Sequence, residues 1–190
     1  RRRRPGSRCG WFEILNAGRD PEFAAYTRGI LSAKMMEVCA TTLPQMSIPK
    51  VFGDPRYPGH LQRRAATFGQ RAQEAYETFA SVPGTIVNRV QGAFYFTVVF
   101  EDGVLNDRQR LKIENPRVAA LIERIVQGVP ADKRLVYYLM GATGICVTPL
   151  SGFHSSLPGF RITLLQHDDA RRRETYRRIA QAIRAYLGSA

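Results

Sequence analysis

Residues 144–153 read Gly-Ile-Cys-Val-Thr-Pro-Leu-Ser-Gly-Phe, and residues 159–164 read Gly-Phe-Arg-Ile-Thr-Leu. Each stretch contains a short apolar run that is typical of a strand. In the first stretch this run is followed by a proline and a turn of small residues. The second carries one arginine, Arg161, among phenylalanine, isoleucine and leucine. A guanidinium in such surroundings is expected to be partly buried and therefore paired. Its partner is either a structural aspartate or glutamate or a bound carboxylate.

Helix and strand patterns alternate along the rest of the chain, which predicts a mixed α/β fold. Apolar residues that recur every three or four positions predict one long helix over 58–81 and several shorter ones. The predicted helices cover about 20–38, 58–81, 116–127, 132–142 and 168–187, and the predicted strands 9–15, 85–87, 93–100, 145–148 and 160–165. The prolines between Thr41 and Pro58 predict a loop with one short helix.

The composition excludes several classes of protein. The chain has 190 residues, of which 44% are hydrophobic, so it can bury a core and is not a disordered chain. No apolar run approaches the roughly 20 residues that span a bilayer, so we expect no membrane partner. Three widely spaced cysteines predict neither a disulfide scaffold nor a metal site, and they fit a reducing cytoplasm.

The chain is strongly basic, with 28 Lys+Arg against 16 Asp+Glu and a net charge of +12. Six arginines lie in the predicted last helix: Arg171, Arg172, Arg173, Arg177, Arg178 and Arg184. They form either a phosphate-binding stripe or a solvated helix face. Because no nucleic-acid-binding motif accompanies them, we expect the solvated face and no nucleic-acid partner. The run Arg1–Arg4 is either an anion-binding arm or a cut terminus.

A third stretch, residues 5–11, reads Pro-Gly-Ser-Arg-Cys-Gly-Trp. The Pro-Gly turn places Arg8 directly before the predicted buried strand 9–15. Arginine is the side chain best suited to bind a phosphate or carboxylate through two hydrogen bonds. Arg8 therefore binds an anion or simply points to solvent at the start of the strand.

Together these stretches resemble the C-terminal part of a class I/II (fold-type I) aminotransferase that depends on pyridoxal 5'-phosphate (PLP). In that family a Pro-Gly-x-Arg-x-Gly-Trp/Tyr motif follows the cofactor lysine, and its arginine, here Arg8, binds the cofactor phosphate. The family's Gly-Val/Ile-x-Val-x-Pro-Gly-Ser-x-Phe motif, here 144–153, precedes the strand whose arginine, here Arg161, binds the substrate α-carboxylate. Residues 11–16, 90–93 and 144–147 look most like the alanine aminotransferase branch.

The resemblance implies a domain organisation and an activity. Residues 1–57 would be the end of the large cofactor-binding domain, 58–82 a long interdomain helix, and 83–190 the α+β small domain. The intact protein would be a cytoplasmic homodimer that moves an amino group between an alanine- or glutamate-like amino acid and a 2-oxo acid. The N-terminal half of the enzyme would be this chain's partner.

Two departures from the family pattern matter. Leu150 stands where the family usually has glycine, and the Schiff-base lysine is expected immediately before Arg1. The four lysines, which are Lys34, Lys50, Lys112 and Lys133, fall in none of the family's catalytic contexts. We therefore expect no catalytic residue in this chain and no activity from it alone. The alternatives are a non-catalytic aminotransferase-like effector or interaction domain, and a PLP lyase or synthase of the same fold.

Other candidate residues carry less chemistry. Cys146 on an apolar strand is expected to be a core residue rather than a nucleophile. The histidines His60, His154 and His167 are scattered, although His154 precedes Arg161 in a loop. Tyr95 and Phe153 are candidates to line the substrate pocket. Residues 39–45 resemble a family segment that reaches the neighbouring subunit's site.

Overall fold

The computed structural model describes residues 9–36 and 41–189. These residues form a mixed α/β fold with a small antiparallel sheet, as the sequence predicts. The helices are α1 (Pro21–Met35), α2 (Thr42–Phe52), α3 (Tyr57–Ala80), α4 (Pro116–Ile125), α5 (Ala131–Thr143) and α6 (Asp169–Leu187). The strands are β1 (Thr85–Val87), β2 (Tyr95–Phe100), β3 (Thr148–Pro149) and β4 (Gly159–Thr163).

The sheet has the strand order β1-β2-β4-β3, and every neighbouring pair is antiparallel. In its central pair Thr97 lies opposite Arg161 and Val99 lies opposite Gly159. Alternate residues of a strand point to opposite faces, so each central strand has one apolar face and one polar face. The buried face consists of Phe96, Val98, Phe100, Phe160 and Ile162.

The core packs between this buried face and the helices of the same unit. Phe79, near the end of α3, is fully buried. Its ring lies 6.0 Å from the rings of Phe96 and Phe160 and 5.8 Å from that of Tyr176. Aromatic clusters at these centroid distances bury large apolar area and hold their elements at fixed separations.

Helix boundaries follow local sequence rules closely. Asp20 accepts hydrogen bonds from the backbone N–H groups of Glu22 and Phe23, and Pro21 begins α1. Asn115 caps α4 and Asp168 caps α6 in the same way. These residue types satisfy the N–H groups that the first turn of a helix leaves unpaired. The long predicted helix over 58–81 is confirmed as α3.

One sequence prediction of local structure is wrong, and a second is correct only in part. Residues 9–15 form no strand, and Trp11 is 70% exposed. A strand needs a neighbouring strand for its backbone hydrogen bonds, and the described residues up to Leu61 contain none. The segment after Thr41 contains the predicted short helix, α2, but little of the predicted loop, since α2 covers most of it and α3 already begins at Tyr57. Pro44 falls in the first turn of α2, where no N–H donor is needed, whereas Pro49 lies inside the helix.

The apolar pattern of the sequence also predicts burial for two side chains that are exposed. Leu121 on α4 is exposed, although the spacing predicts that it faces inward with Ile122. Cys146 is exposed rather than in the core. Successive side chains in this segment point to opposite sides, and the side chain of Val147 is the buried one.

The chain divides into two compact units, one up to Leu61 and one from Gln62 onward. The second unit contains the sheet and the core. In the first unit α1 buries only Thr27 and the described residues of α2 bury none. Large apolar side chains remain exposed there, including Trp11, Leu15, Tyr26, Met35, Leu43 and Met46. The predicted domain limits at residues 57 and 82 stay a prediction.

Candidate functional site

The polar face of the sheet carries Arg161. Its neighbours on this face are Thr97 on β2 and Thr148 on β3, which lie directly opposite it in the two ladders. Phe160 and Ile162 flank it in sequence and point to the core. The strand pleat therefore lifts the arginine out of the apolar surroundings that the sequence suggests.

The Arg161 guanidinium lies against two aromatic rings. Its Cζ is 4.2 Å from the centroid of the Tyr95 ring and 4.1 Å from that of Phe153. Both distances are within the range of a cation–π contact. Across residues 9–36 and 41–189, no Asp or Glu oxygen lies within the 4.0 Å of a salt bridge to Arg161. Of the two partners expected from sequence, a structural acid is thus absent from the described residues.

A short 3-10 turn, Leu150–Phe153, places Phe153 beside the arginine. The turn is fixed at Ser151, whose backbone N–H donates to Oδ2 of Asp132 at 2.8 Å. The other carboxylate oxygen of Asp132 accepts from the Lys133 N–H at 2.7 Å, and Asp132 is buried at the start of α5. A buried carboxylate with two backbone donors is a rigid anchor for the turn.

Leucine at position 150 is compatible with this turn. Positive φ among the described non-glycine residues is confined to Asn16, Ala93 and His154, so Leu150 has no conformation that requires glycine. The small residue is needed at Gly159 instead. A Cβ there would lie 2.3 Å from the carbonyl oxygen of Val98 and 2.9 Å from Cδ1 of Leu150.

A cleft of about 260 Å³ lies next to Arg161. It lies between the 145–148 segment, β4 and α6. The predicted strand 145–148 pairs with β4 only from Thr148 onward. Gln166, Arg172 and Thr175 supply further polar groups to its lining. The described lining contains no lysine.

Arg172, at the side of this cleft, is a buried residue that sequence reasoning misses. It is 2% exposed. Its Nη2 donates to Oε2 of Glu74 at 2.6 Å, and its Nη1 donates to the Asp169 carboxylate. The hydrogen bond from Arg172 holds the pKa of Asp169 below its usual range. Arg71 joins this network and donates to the Leu164 carbonyl at 3.1 Å, just beyond β4.

The other arginines of α6 have structural contacts that suit a solvated face. Arg178 donates to the Thr143 carbonyl at the end of α5, and Arg184 donates to the carbonyl and hydroxyl oxygens of Ser81 just after α3. A cation at the carbonyl end of a helix is electrostatically favourable. Arg177 pairs with Glu174 within α6.

Several predicted site residues are not brought to Arg161 by the described structure. Arg8, Arg1–Arg4 and Cys39 lie outside the described residues, while residues 42–45 form the start of α2. The three histidines are exposed, with His154 in a left-handed conformation just after Phe153. Tyr95 and Phe153, named as pocket candidates, do lie together at Arg161.

The described residues supply the chemistry of a carboxylate site and include none of the predicted cofactor ligands. A guanidinium without an acidic partner on an open sheet face has the chemistry to bind a carboxylate through two N–H groups. The phosphate-binding candidate, Arg8, is not among the described residues, and no described group of histidine, cysteine and carboxylate side chains could hold a metal ion. The described helices include none that is long and apolar enough to span a membrane.

The described structure has a small antiparallel sheet with Arg161 on its polar face, and comparison with known proteins shows what the chain is similar to. No protein-family model matches the sequence. A protein of Methanocaldococcus jannaschii named as an uncharacterized aminotransferase is 45% identical over 183 residues, which are 96% of this chain and 42% of that protein. Alanine aminotransferase 1 of Bos taurus is 28% identical over 84% of this chain, and alanine aminotransferase 2 of Xenopus tropicalis is 28% identical over 86%.

These similarities confirm the resemblance to aminotransferases, including the alanine aminotransferase branch. The chain spans less than half the length of these relatives, at 42% of the first and 30% of each of the other two.

Proposed function

We propose that this chain is the C-terminal part of a PLP-dependent aminotransferase and that Arg161 binds the α-carboxylate of the amino-acid and 2-oxo-acid substrates. The intact protein transfers an amino group between an alanine- or glutamate-like amino acid and a 2-oxo acid. The proposal rests on the similarity to proteins named aminotransferases together with one structural observation, which is the unpaired state of Arg161 among the described residues.

The environment of Arg161 supports this role. A partly buried guanidinium that lacks a nearby carboxylate is electrostatically costly until an anion arrives. A substrate carboxylate offers two oxygens that match the spacing of two guanidinium N–H groups. Binding through both fixes the orientation of the substrate as well as its position, which is the main contribution a protein makes to cofactor chemistry.

PLP, when bound, supplies the electron sink that stabilises charge at the substrate Cα. In this proposal Arg8 binds the cofactor phosphate, and the lysine that exchanges protons with the substrate lies outside this chain. The chain alone is therefore inactive. Its own contribution is the carboxylate site, which holds the substrate without taking a proton.

The unit up to Leu61 supports the proposal of a larger protein. Its described helices bury almost nothing, while Trp11, Met35 and Leu43 are each more than two-thirds exposed. Apolar surface of this extent is normally covered by another part of the protein. We propose that the N-terminal half of the enzyme covers it, in a cytoplasmic homodimer.

The test compares Arg161→Lys with Arg171→Lys in the full-length protein that contains this chain. Arg171 is an exposed arginine on α6 and serves as the matched control. Lysine cannot reproduce the two parallel hydrogen bonds of arginine, and one hydrogen bond to a charged group contributes about 1.5–3 kcal/mol. We expect kcat/KM for the amino donor to fall roughly 10- to 100-fold in Arg161→Lys and to stay unchanged in the control.

Product analysis separates transamination from the lyase alternative. A transaminase releases a 2-oxo acid that retains the substrate's carbon skeleton, whereas elimination splits the side chain off. Wild-type kcat/KM in Arg161→Lys would refute the assignment of the carboxylate site.

A further inference from the structure

We infer that Tyr95 and Phe153 are positioning residues, which hold the Arg161 guanidinium ready for a carboxylate. The inference rests on the proposed function and deepens it, because it concerns how the carboxylate site is kept in shape before the substrate arrives. Nothing in the sequence spacing pairs these two rings with each other, since one is on β2 and the other is in the turn before β4.

The first argument is the contact geometry. Arg161 Cζ lies over both rings, at 4.2 and 4.1 Å from their centroids. A ring holds a cation over its face by electrostatic attraction and accepts no conventional hydrogen bond from it. These contacts therefore leave the N–H groups of Arg161 for a ligand with two acceptor oxygens, such as a carboxylate.

The second argument is exposure. Tyr95 is 40% exposed and Phe153 is 45% exposed, so neither ring is a core residue of this unit. Aromatic side chains left half-exposed beside an arginine without an acidic partner are better explained by the arginine than by core packing. Two rings in contact with a guanidinium also displace water from it without neutralising its charge, and the lower local dielectric strengthens its attraction to an incoming anion.

The third argument is that each ring has its own support. The Tyr95 ring packs at 4.7 Å from that of Phe94, at the start of the central strand. Phe153 closes the turn that is anchored by the hydrogen bond between Ser151 and buried Asp132. Two rigid supports from separate elements restrict a long, flexible side chain before binding, and such pre-organisation improves affinity.

The first experiment tests the contact itself by NMR in the full-length protein that contains this chain, with arginine labelled selectively. The Arg161 side-chain resonances are assigned by their loss in Arg161→Lys. We expect the Arg161 side-chain protons to be shifted upfield by the two rings, and Tyr95→Leu or Phe153→Leu to remove part of the shift. Tyr95→Phe and Phe153→Tyr keep a ring and should keep the shift. An Arg161 without an upfield shift would overturn the inference.

The second experiment titrates the same variants with propanoate, a carboxylate that has no amino group. A cation–π contact at a partly exposed site corresponds to roughly a two- to fivefold change in affinity. We expect Kd to rise by about that factor in each leucine variant and to recover in Tyr95→Phe. Phe23→Leu, which removes a ring of equal exposure on α1, is the control and should bind like the wild type.

A kinetic measurement on the full-length protein distinguishes positioning from general damage. Rings that only prepare the carboxylate site raise KM for the amino donor by the same factor and leave kcat within about twofold.

Loss of propanoate binding in Arg161→Gln but not in the leucine variants would overturn the positioning role and leave the proposed function standing. Unchanged binding in Arg161→Gln would instead overturn the proposed carboxylate site.

Discussion

Gly159→Ala is the substitution whose effect the structure predicts most directly. The added Cβ would lie 2.3 Å from the carbonyl oxygen of Val98, where ordinary contact begins at 3.4 Å. The carbonyl belongs to β2, so it cannot rotate away as a side chain would, and the two strands must separate by about 1 Å. The Cδ1 of Leu150, at 2.9 Å, obstructs a shift on the other side.

The cost follows from the rigidity of these neighbours. Overpacking a closely packed site costs about 1–3 kcal/mol, and a backbone obstacle places this site at the upper end, about 3 kcal/mol. For a unit of roughly 130 residues, 1 kcal/mol corresponds to about 4 °C, so Tm should fall by about 12 °C. The displacement should also weaken propanoate binding, because Arg161 is two residues further along the same strand.

Thermal and urea unfolding followed by circular dichroism measure this loss. Gly92→Ala is the matched control, since a Cβ at Gly92 meets nothing within 4 Å and its φ is not positive. A double variant, Gly159→Ala with Leu150→Ala, removes one obstacle and should still be less stable than Leu150→Ala alone. A Tm change in Gly159→Ala no larger than in Gly92→Ala would refute the reasoning.

Two further predictions concern buried polar groups. Arg172→Met should lower the free energy of unfolding by up to about 3 kcal/mol, because Glu74, whose side chain is 20% exposed, loses its buried partner and keeps only the exposed Arg173 at 3.4 Å. Adding Glu74→Gln to Arg172→Met should restore part of the lost stability, as measured by urea unfolding. If it restores none, the charge of Glu74 is not the cause of the loss. Burial raises the pKa of Tyr176 to about 12, and burial with a hydrogen bond to Glu123 raises that of Tyr138 to about 12. The unfolded chain loses these protons at lower pH than the folded protein, so the free energy of unfolding should fall as pH rises from about 10 to 12. If Tyr176→Phe shows the same dependence of unfolding free energy on pH as the wild type, Tyr176 does not contribute to it.

The helices after residue 57 could be predicted because their information is local. Three- and four-residue apolar spacing fixes α3, and Asn115 and Asp168 mark the starts of α4 and α6. Capping and periodicity act between residues within one or two turns, so a sequence contains them in full.

The strand predicted over 9–15 failed for the opposite reason. An apolar run indicates that a segment is suited to burial, but it does not indicate whether another strand lies beside that segment in the fold. The strand predicted over 145–148 is limited in the same way, since pairing with β4 begins only at Thr148. Strand existence depends on neighbours that are distant in sequence.

The sequence by itself determined that Arg161 lies within an apolar strand, because the strand pattern of residues 160–165 is local. Only the tertiary structure decided what surrounds it, since the pleat turns it to the open face and the two rings arrive from separate elements. The same division applies to Arg172, which the sequence places in a run of arginines and the fold buries against Glu74. Residue chemistry is a local property, whereas burial and partners are set by packing between segments far apart along the chain.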